Sequence, residues 1–122
     1  MFRDKLYTIS MLQRHVEDNK VDFVVQFKPE HIIYKAHFPN NPITPGVCIV
    51  QIAKELFSFL TEKNYTITKL KSVKFLNPIL PNDMVVFYFD WEYIDDLYHI
   101  KVHVFDVDVS FAKINMQLKQ NE

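Results

Sequence analysis

The sequence predicts an α+β domain in which an antiparallel sheet curls around one long helix. Three observations lead there. Alternating apolar residues mark strands on both sides of a single helical stretch. That stretch is apolar on nearly every side in its first turns, as a helix buried inside a fold is. The chain has 122 residues, 48% of them hydrophobic and 15% aromatic, enough for one core and one domain spanning 1–122.

The elements follow in order. Leu6 to Leu12 reads as a first strand. From Val21 to Phe27, the residues Val21, Phe23, Val25 and Phe27 share one face, with Asp22 and Gln26 opposite, the pattern of a half-buried strand. Between Pro29 and Thr44 no period holds, and the stretch reads as an ordered loop with a short extended piece at Ile32–Lys35. A helix begins near Pro45 and runs to about Glu62. Thr44 suits its N-cap and Pro45 its first position, where a missing N–H costs nothing. Gln51, Lys54, Glu55, Ser58 and Glu62 form one polar stripe along it. Tyr65–Phe75 then changes phase near Lys69–Lys71, predicting a bulge or a strong bend. Val85, Phe87, Phe89, Trp91 and Tyr93 alternate. Asp95-Asp96 marks a hairpin turn. Tyr98, Ile100, Val102 and Val104 alternate next, and Ala112, Ile114, Met116 and Leu118 last. Asp106-Val107-Asp108 is polar alternation or a turn.

Bulk composition excludes several classes. A net charge of −1 offers nothing to nucleic acid. The one cysteine, Cys48, permits no intrachain disulfide and reads as a core residue. No segment reaches the ~18 apolar residues of a membrane span, and the N-terminus lacks the apolar core of a signal peptide, so a cytoplasmic protein is expected. Aromatics on both faces of strands suggest that a partner subunit covers some of them.

The single glycine, Gly46, lies in His37-Phe38-Pro39-Asn40-Asn41-Pro42-Ile43-Thr44-Pro45-Gly46-Val47-Cys48-Ile49-Val50-Gln51, together with three of the six prolines. A lone glycine kept there implies an unusual backbone angle or a close approach by another backbone or a ligand. The stretch HFPNNPITPGVCIVQIAKE, from His37 to Glu55, resembles the hallmark of the (3R)-hydroxyacyl-acyl-carrier-protein dehydratases of the hotdog fold. Val73–Asp83, VKFLNPILPND, is similar to the second signature of that family.

The resemblance implies a dehydratase of 3-hydroxyacyl thioesters. That chemistry needs a base at C2, an acid near the C3 oxygen, and donors at the thioester carbonyl, where negative charge develops. A helix N-terminus supplies free N–H groups and a positive dipole end. By resemblance the carbonyl lies at the amides of Gly46 and Val47, with Phe38 and Pro45 beside the substrate, and His37 is the base. Taken alone, His37 would read as a histidine anchoring the loop.

One position departs from the family. The acid, a Glu or Asp fourteen residues after the histidine, is here Gln51, which can hydrogen-bond a hydroxyl but cannot give up a proton. Glu55 lies one turn on, on the same face, ~6 Å away. Either the carboxyl has moved down a turn, with Gln51 and Glu55 replacing the usual acid, or Glu55 belongs to a solvated stripe with Lys54, Ser58 and Glu62. The stripe suffices to explain it.

Three lesser features complete the reading. His31, His99 and His103 lack the further ligands of a metal site. Lys69, Lys71 and Lys74 suit a solvated strand edge, or an acidic carrier protein. The proposed chemistry requires no cofactor. The family resemblance further implies an acyl carrier protein bearing a phosphopantetheine-linked acyl chain as partner, and a homodimer or higher even oligomer with the site between subunits. The alternatives are a non-catalytic subunit that binds acyl carrier protein or pairs as a heterodimer with a complete dehydratase, and a hotdog thioesterase.

Overall fold

The computed structural model describes residues 1–15, 18–36 and 40–122. The chain runs β1 (Tyr7–His15), β2 (Lys20–Phe27), α1 (Ile33–Ala36), α2 (Gly46–Thr61), β3 (Tyr65–Phe75), β4 (Met84–Ile94), β5 (Leu97–Asp106) and β6 (Val109–Gln120). Its six strands form one sheet in the order β1-β2-β4-β5-β6-β3, every neighbouring pair antiparallel. This order explains the helix. The chain leaves β2 near one edge and must reach β3 at the other, so α2 crosses the face of the sheet. No helix among the described residues is long and apolar enough to cross a membrane.

Side chains alternate across the pleat, so each strand gives one row to the core. Val21, Phe23, Val25 and Phe27 of β2, Val85, Phe87 and Phe89 of β4, and Ala112, Ile114, Met116 and Leu118 of β6 are all buried. They meet Cys48, Ile49, Ile52, Ala53, Leu56, Phe57 and Leu60 of α2. Phe57 centres an aromatic cluster, its ring 5.1 Å from Tyr65, 5.3 Å from Tyr98 and 5.4 Å from Trp91. Burying a side chain of this size stabilises the fold by about 1.5–3 kcal/mol. Burial fades toward the end of β4, where Trp91 is half-buried and Tyr93 exposed.

The phase change in β3 is a pair of register shifts against β6, at Ile67/Lys69 and Leu70/Ser72. Asp95 and Asp96 both take positive φ, 53° and 64°. Two successive left-handed residues make the hairpin turn that matches strand twist. Val107 and Asp108 turn the chain from β5 into β6, with the Val107 N–H donating to Asp106 Oδ1 at 2.6 Å.

Two local expectations are corrected. Ile32–Lys35 is not extended, because residues Ile33–Ala36 make one helical turn. His31 starts it, its Nδ1 accepting the Ile33 N–H at 3.0 Å and its carbonyl the Tyr34 N–H at 3.1 Å. The N-cap of α2 is Pro45 and no side chain caps it. Thr44 is engaged elsewhere, its hydroxyl 2.7 Å from the Tyr34 hydroxyl and its N–H on the Ile79 carbonyl at 2.8 Å.

Candidate active site

Pro45 arrives at α2 with extended backbone, φ −60° and ψ 142°. Its carbonyl accepts the N–H groups of Cys48 at 3.0 Å and Ile49 at 3.3 Å. The amides of Gly46 and Val47 come before that first turn of bonds and have no backbone acceptor among the described residues. They carry the positive end of the helix dipole. Beside them is an open cleft of about 520 Å³, lined by Ile43, Gly46, Val47, Phe75, Asn77 and Ile79 among others. Both sequence motifs therefore meet at the start of this helix. The bond from Thr44 to Ile79 ties the Val73–Asp83 segment to the residues that begin it.

Gly46 has no positive φ, so an unusual backbone angle is not the reason for it. A Cβ there would come within 2.5 and 2.6 Å of the Phe75 ring. The close approach is thus by a side chain of the second motif, which neither expectation named. Phe75 is itself 52% exposed and reaches over the helix end.

Further down α2, Gln51 is half-buried and its Nε2 donates to Glu55 Oε2 at 3.1 Å. The shared face expected for positions 51 and 55 is therefore occupied by a direct bond. The solvated reading of Glu55 is corrected, because the residue is only 6% exposed. Its Oε1 accepts the N–H groups of Phe2 and Arg3, each at 3.0 Å, and the Tyr7 hydroxyl at 3.2 Å. Its Oε2 also accepts from the Phe2 N–H, at 3.0 Å. Burial, and then the neighbouring Glu55 charge, push the Tyr7 phenol above its ordinary range. Of the rest of the stripe, Lys54 and Ser58 are half-buried and only Glu62 is exposed. It is at Glu55 that the N-terminal segment covers the stripe.

The other candidates fall as follows. His37 and Phe38 lie outside the described residues. Cys48 is buried, and burial pushes its thiol up, away from a nucleophile's range. His99 Nδ1 is 3.0 Å from Lys71 Nζ, and His103 Nε2 is 2.7 Å from Ser110 Oγ. Burial, then the Lys113 charge, lower the His103 pKa. Among the described residues no group of three or more His, Cys, Asp or Glu side chains could hold a metal. Lys69, Lys71 and Lys74 are exposed on β3, an edge strand.

Comparison with known proteins decides the family. The ApeI-like family, described as ApeI dehydratase, matches residues 13–113. The chain belongs to this family. Among curated relatives, the 3-hydroxyacyl-[acyl-carrier-protein] dehydratase FabZ of Pseudoalteromonas translucida is 30% identical over 96 residues, 62% of this chain and 64% of that one. The FabZ of Saccharophagus degradans is 26% identical over 94 residues, 66% of this chain and 65% of that one. The matches thus span somewhat under two-thirds of these relatives' lengths. Among solved structures, the dehydratase heterocomplex ApeI:P from Xenorhabdus doucetiae superposes with a TM-score of 0.75 at 17% identity, covering 91% of this chain and 96% of that one. A putative thioesterase, yhdA from Lactococcus lactis, gives 0.66 at 11% identity, covering 92% and 91%. At such identities the likeness establishes the hotdog fold.

Proposed function

We propose that this protein binds 3-hydroxyacyl thioesters carried on acyl carrier protein and dehydrates them, in fatty-acid or polyene-type lipid biosynthesis. The observation that carries this reading is the start of α2, where the amides of Gly46 and Val47, without a backbone acceptor among the described residues, border an open cleft built by both dehydratase-like motifs. A thioester carbonyl there accepts two N–H bonds that strengthen as the enolate forms. Preorganised donors of this kind lower a barrier by several kcal/mol, ~2.7–4 for one donor.

His37, on the strength of the family motif, takes the C2 proton. Gln51 accepts the C3 hydroxyl as a hydrogen-bond donor. The C3–O bond breaks toward hydroxide, and the proton that completes water comes from the imidazolium of His37. Pro45 and Phe38 flank the acyl chain. Glu55 touches the N-terminal segment and Gln51 through its acceptor oxygens, which supports a holding role better than an acid's. The working form is a cytoplasmic dimer or higher even oligomer, with the site between subunits.

A second reading is favoured by Gln51 itself. A side chain that cannot release a proton suits a non-catalytic subunit that binds the carrier-linked acyl chain and pairs with a complete dehydratase. The heterocomplex superposed above has the same fold. No feature of the site favours a thioesterase.

The test is hydration of a crotonyl thioester on acyl carrier protein, followed by loss of enone absorbance or by mass spectrometry. Wild type is measured beside His37→Ala and Gln51→Glu. Turnover lost in His37→Ala supports the dehydratase. Silence in wild type with activity in Gln51→Glu supports the pairing subunit. Silence in all three refutes the dehydratase, and silence without binding of the carrier-linked acyl chain refutes both.

A further inference from the structure

We propose that Glu55 is a positioning residue that locks the side-chain amide of Gln51, so that position 51 offers the ligand an acceptor only and the site selects 3-hydroxyacyl over 3-oxoacyl thioesters. The inference rests on the reading of the site given above and names which oxidation state at C3 that site takes.

A glutamine amide has a donor end and an acceptor end, and its neighbours decide which one faces a ligand. Here the neighbour is Glu55, and each of its contacts uses a carboxyl oxygen as acceptor. Such a group attracts the Gln51 Nε2 and repels Oε1. The Nε2 is accordingly the atom at 3.1 Å. Gln51 Oε1 has no partner among the described residues.

Glu55 cannot readily turn to allow the reverse. The Phe2 and Arg3 amides and the Tyr7 hydroxyl hold it from 53, 52 and 48 residues away in sequence. That segment is fastened in turn: the Asp4 N–H donates to the Tyr7 carbonyl at 2.7 Å and the Leu6 N–H to the Phe2 carbonyl at 2.7 Å. Tyr7 is fully buried. Its hydroxyl adds a donor to Oε1, while Oε2 takes Gln51 beside the Phe2 N–H.

With the C3 group at Gln51, as the proposed function has it, the unpaired Oε1 then sorts ligands by that group. A hydroxyl donates to it. A 2-enoyl chain has nothing to donate and loses one bond. A 3-oxo group brings lone pairs against lone pairs and is disfavoured further. One hydrogen bond corresponds to about tenfold in affinity, so the hydroxyl form should bind roughly tenfold or more tighter than the oxo form.

The experiment is calorimetric titration of the full chain with (3R)-3-hydroxybutyryl and acetoacetyl pantetheine thioesters, in wild type and Glu55→Gln. A carboxamide at 55 presents either end, which frees Gln51 to turn. The expected result is a preference of about tenfold for the hydroxy ligand in wild type that falls below about threefold in Glu55→Gln. An unchanged preference in Glu55→Gln overturns the lock. Equal binding of the two ligands by wild type overturns it while leaving the proposed function standing. Binding of neither overturns both. If Glu55→Gln does not fold, nitrogen-edited NMR of wild type decides. The Gln51 side-chain protons must then exchange with solvent more slowly than those of exposed Gln120, and equal exchange overturns the lock.

Discussion

Replacing Gln51 by Glu tests the contact between positions 51 and 55, because it sets a second carboxyl against Glu55. The present contact is an amide donating at 3.1 Å. With both groups ionised it becomes two negative charges near 4 Å, a repulsion of ~4 kcal/mol at an effective dielectric of 20. Gln51 is only half-buried, so solvent screening reduces this to about 2 kcal/mol. The sign follows from linkage. In the unfolded chain the new carboxyl ionises as an ordinary glutamate. In the folded chain Glu55 opposes its ionisation, so the native state holds the proton longer. Two kcal/mol corresponds to about 1.5 pH units, so stability is lost as pH rises from about 4 to about 7. Below that window the protonated carboxyl donates to Glu55 Oε2 and replaces the amide bond. Thermal melts of wild type and Gln51→Glu across this range provide the assay. Wild type sets the baseline. The variant's additional fall in Tm between about pH 4 and about pH 7 should be roughly 8 °C, at about 4 °C per kcal/mol for a domain of this size. Parallel pH profiles for the two proteins would refute the contact between positions 51 and 55.

Two further predictions concern the start of the helix. Gly46→Ala puts a Cβ within 2.5 Å of the Phe75 ring, which is half-exposed and free to swing. The cost should be about 1 kcal/mol in urea unfolding, and it should vanish in a Phe75→Ala background, so additive single changes would refute the packing account. Tyr34, buried and bonded to Thr44, has its pKa pushed up to about 12, chiefly by burial. Its native state keeps the phenolic proton after the unfolded chain has lost it. Stability contributed by the neutral phenol is present below pH 10 and falls as pH rises to 12, by about 2 kcal/mol. Tyr34→Phe should show a shallower alkaline loss.

The core was legible because its signals are local. In β2, β4 and β6 the buried rows are those that alternation marks, and the bulged part of β3 lies where the phase changes. The helix was legible because its apolar surround and a proline before its first turn are properties of adjacent residues. The motif at 37–55 includes the helix start, where two amides have no backbone acceptor among the described residues and a cleft opens beside them. Other features were hidden. Thr44 has the right chemistry for an N-cap, and its hydroxyl goes instead to Tyr34, ten residues back. The reason for Gly46 is the ring of Phe75, which no spacing connects to it.

Glu55 shows where the division lies. Its place on the polar stripe and its neighbourhood with Gln51 follow from helical geometry, which any reader of residues 51–62 can draw. That Glu55 is covered, and that the covering segment brings two backbone amides and a phenol to this one carboxyl, follows from the strand order, which sets β1 on β2 and the chain before it across the helix. Periodicity records which face of an element avoids water or tolerates it. What meets the other face is fixed by contacts between segments about fifty residues apart, and those exist only once the sheet has closed around the helix.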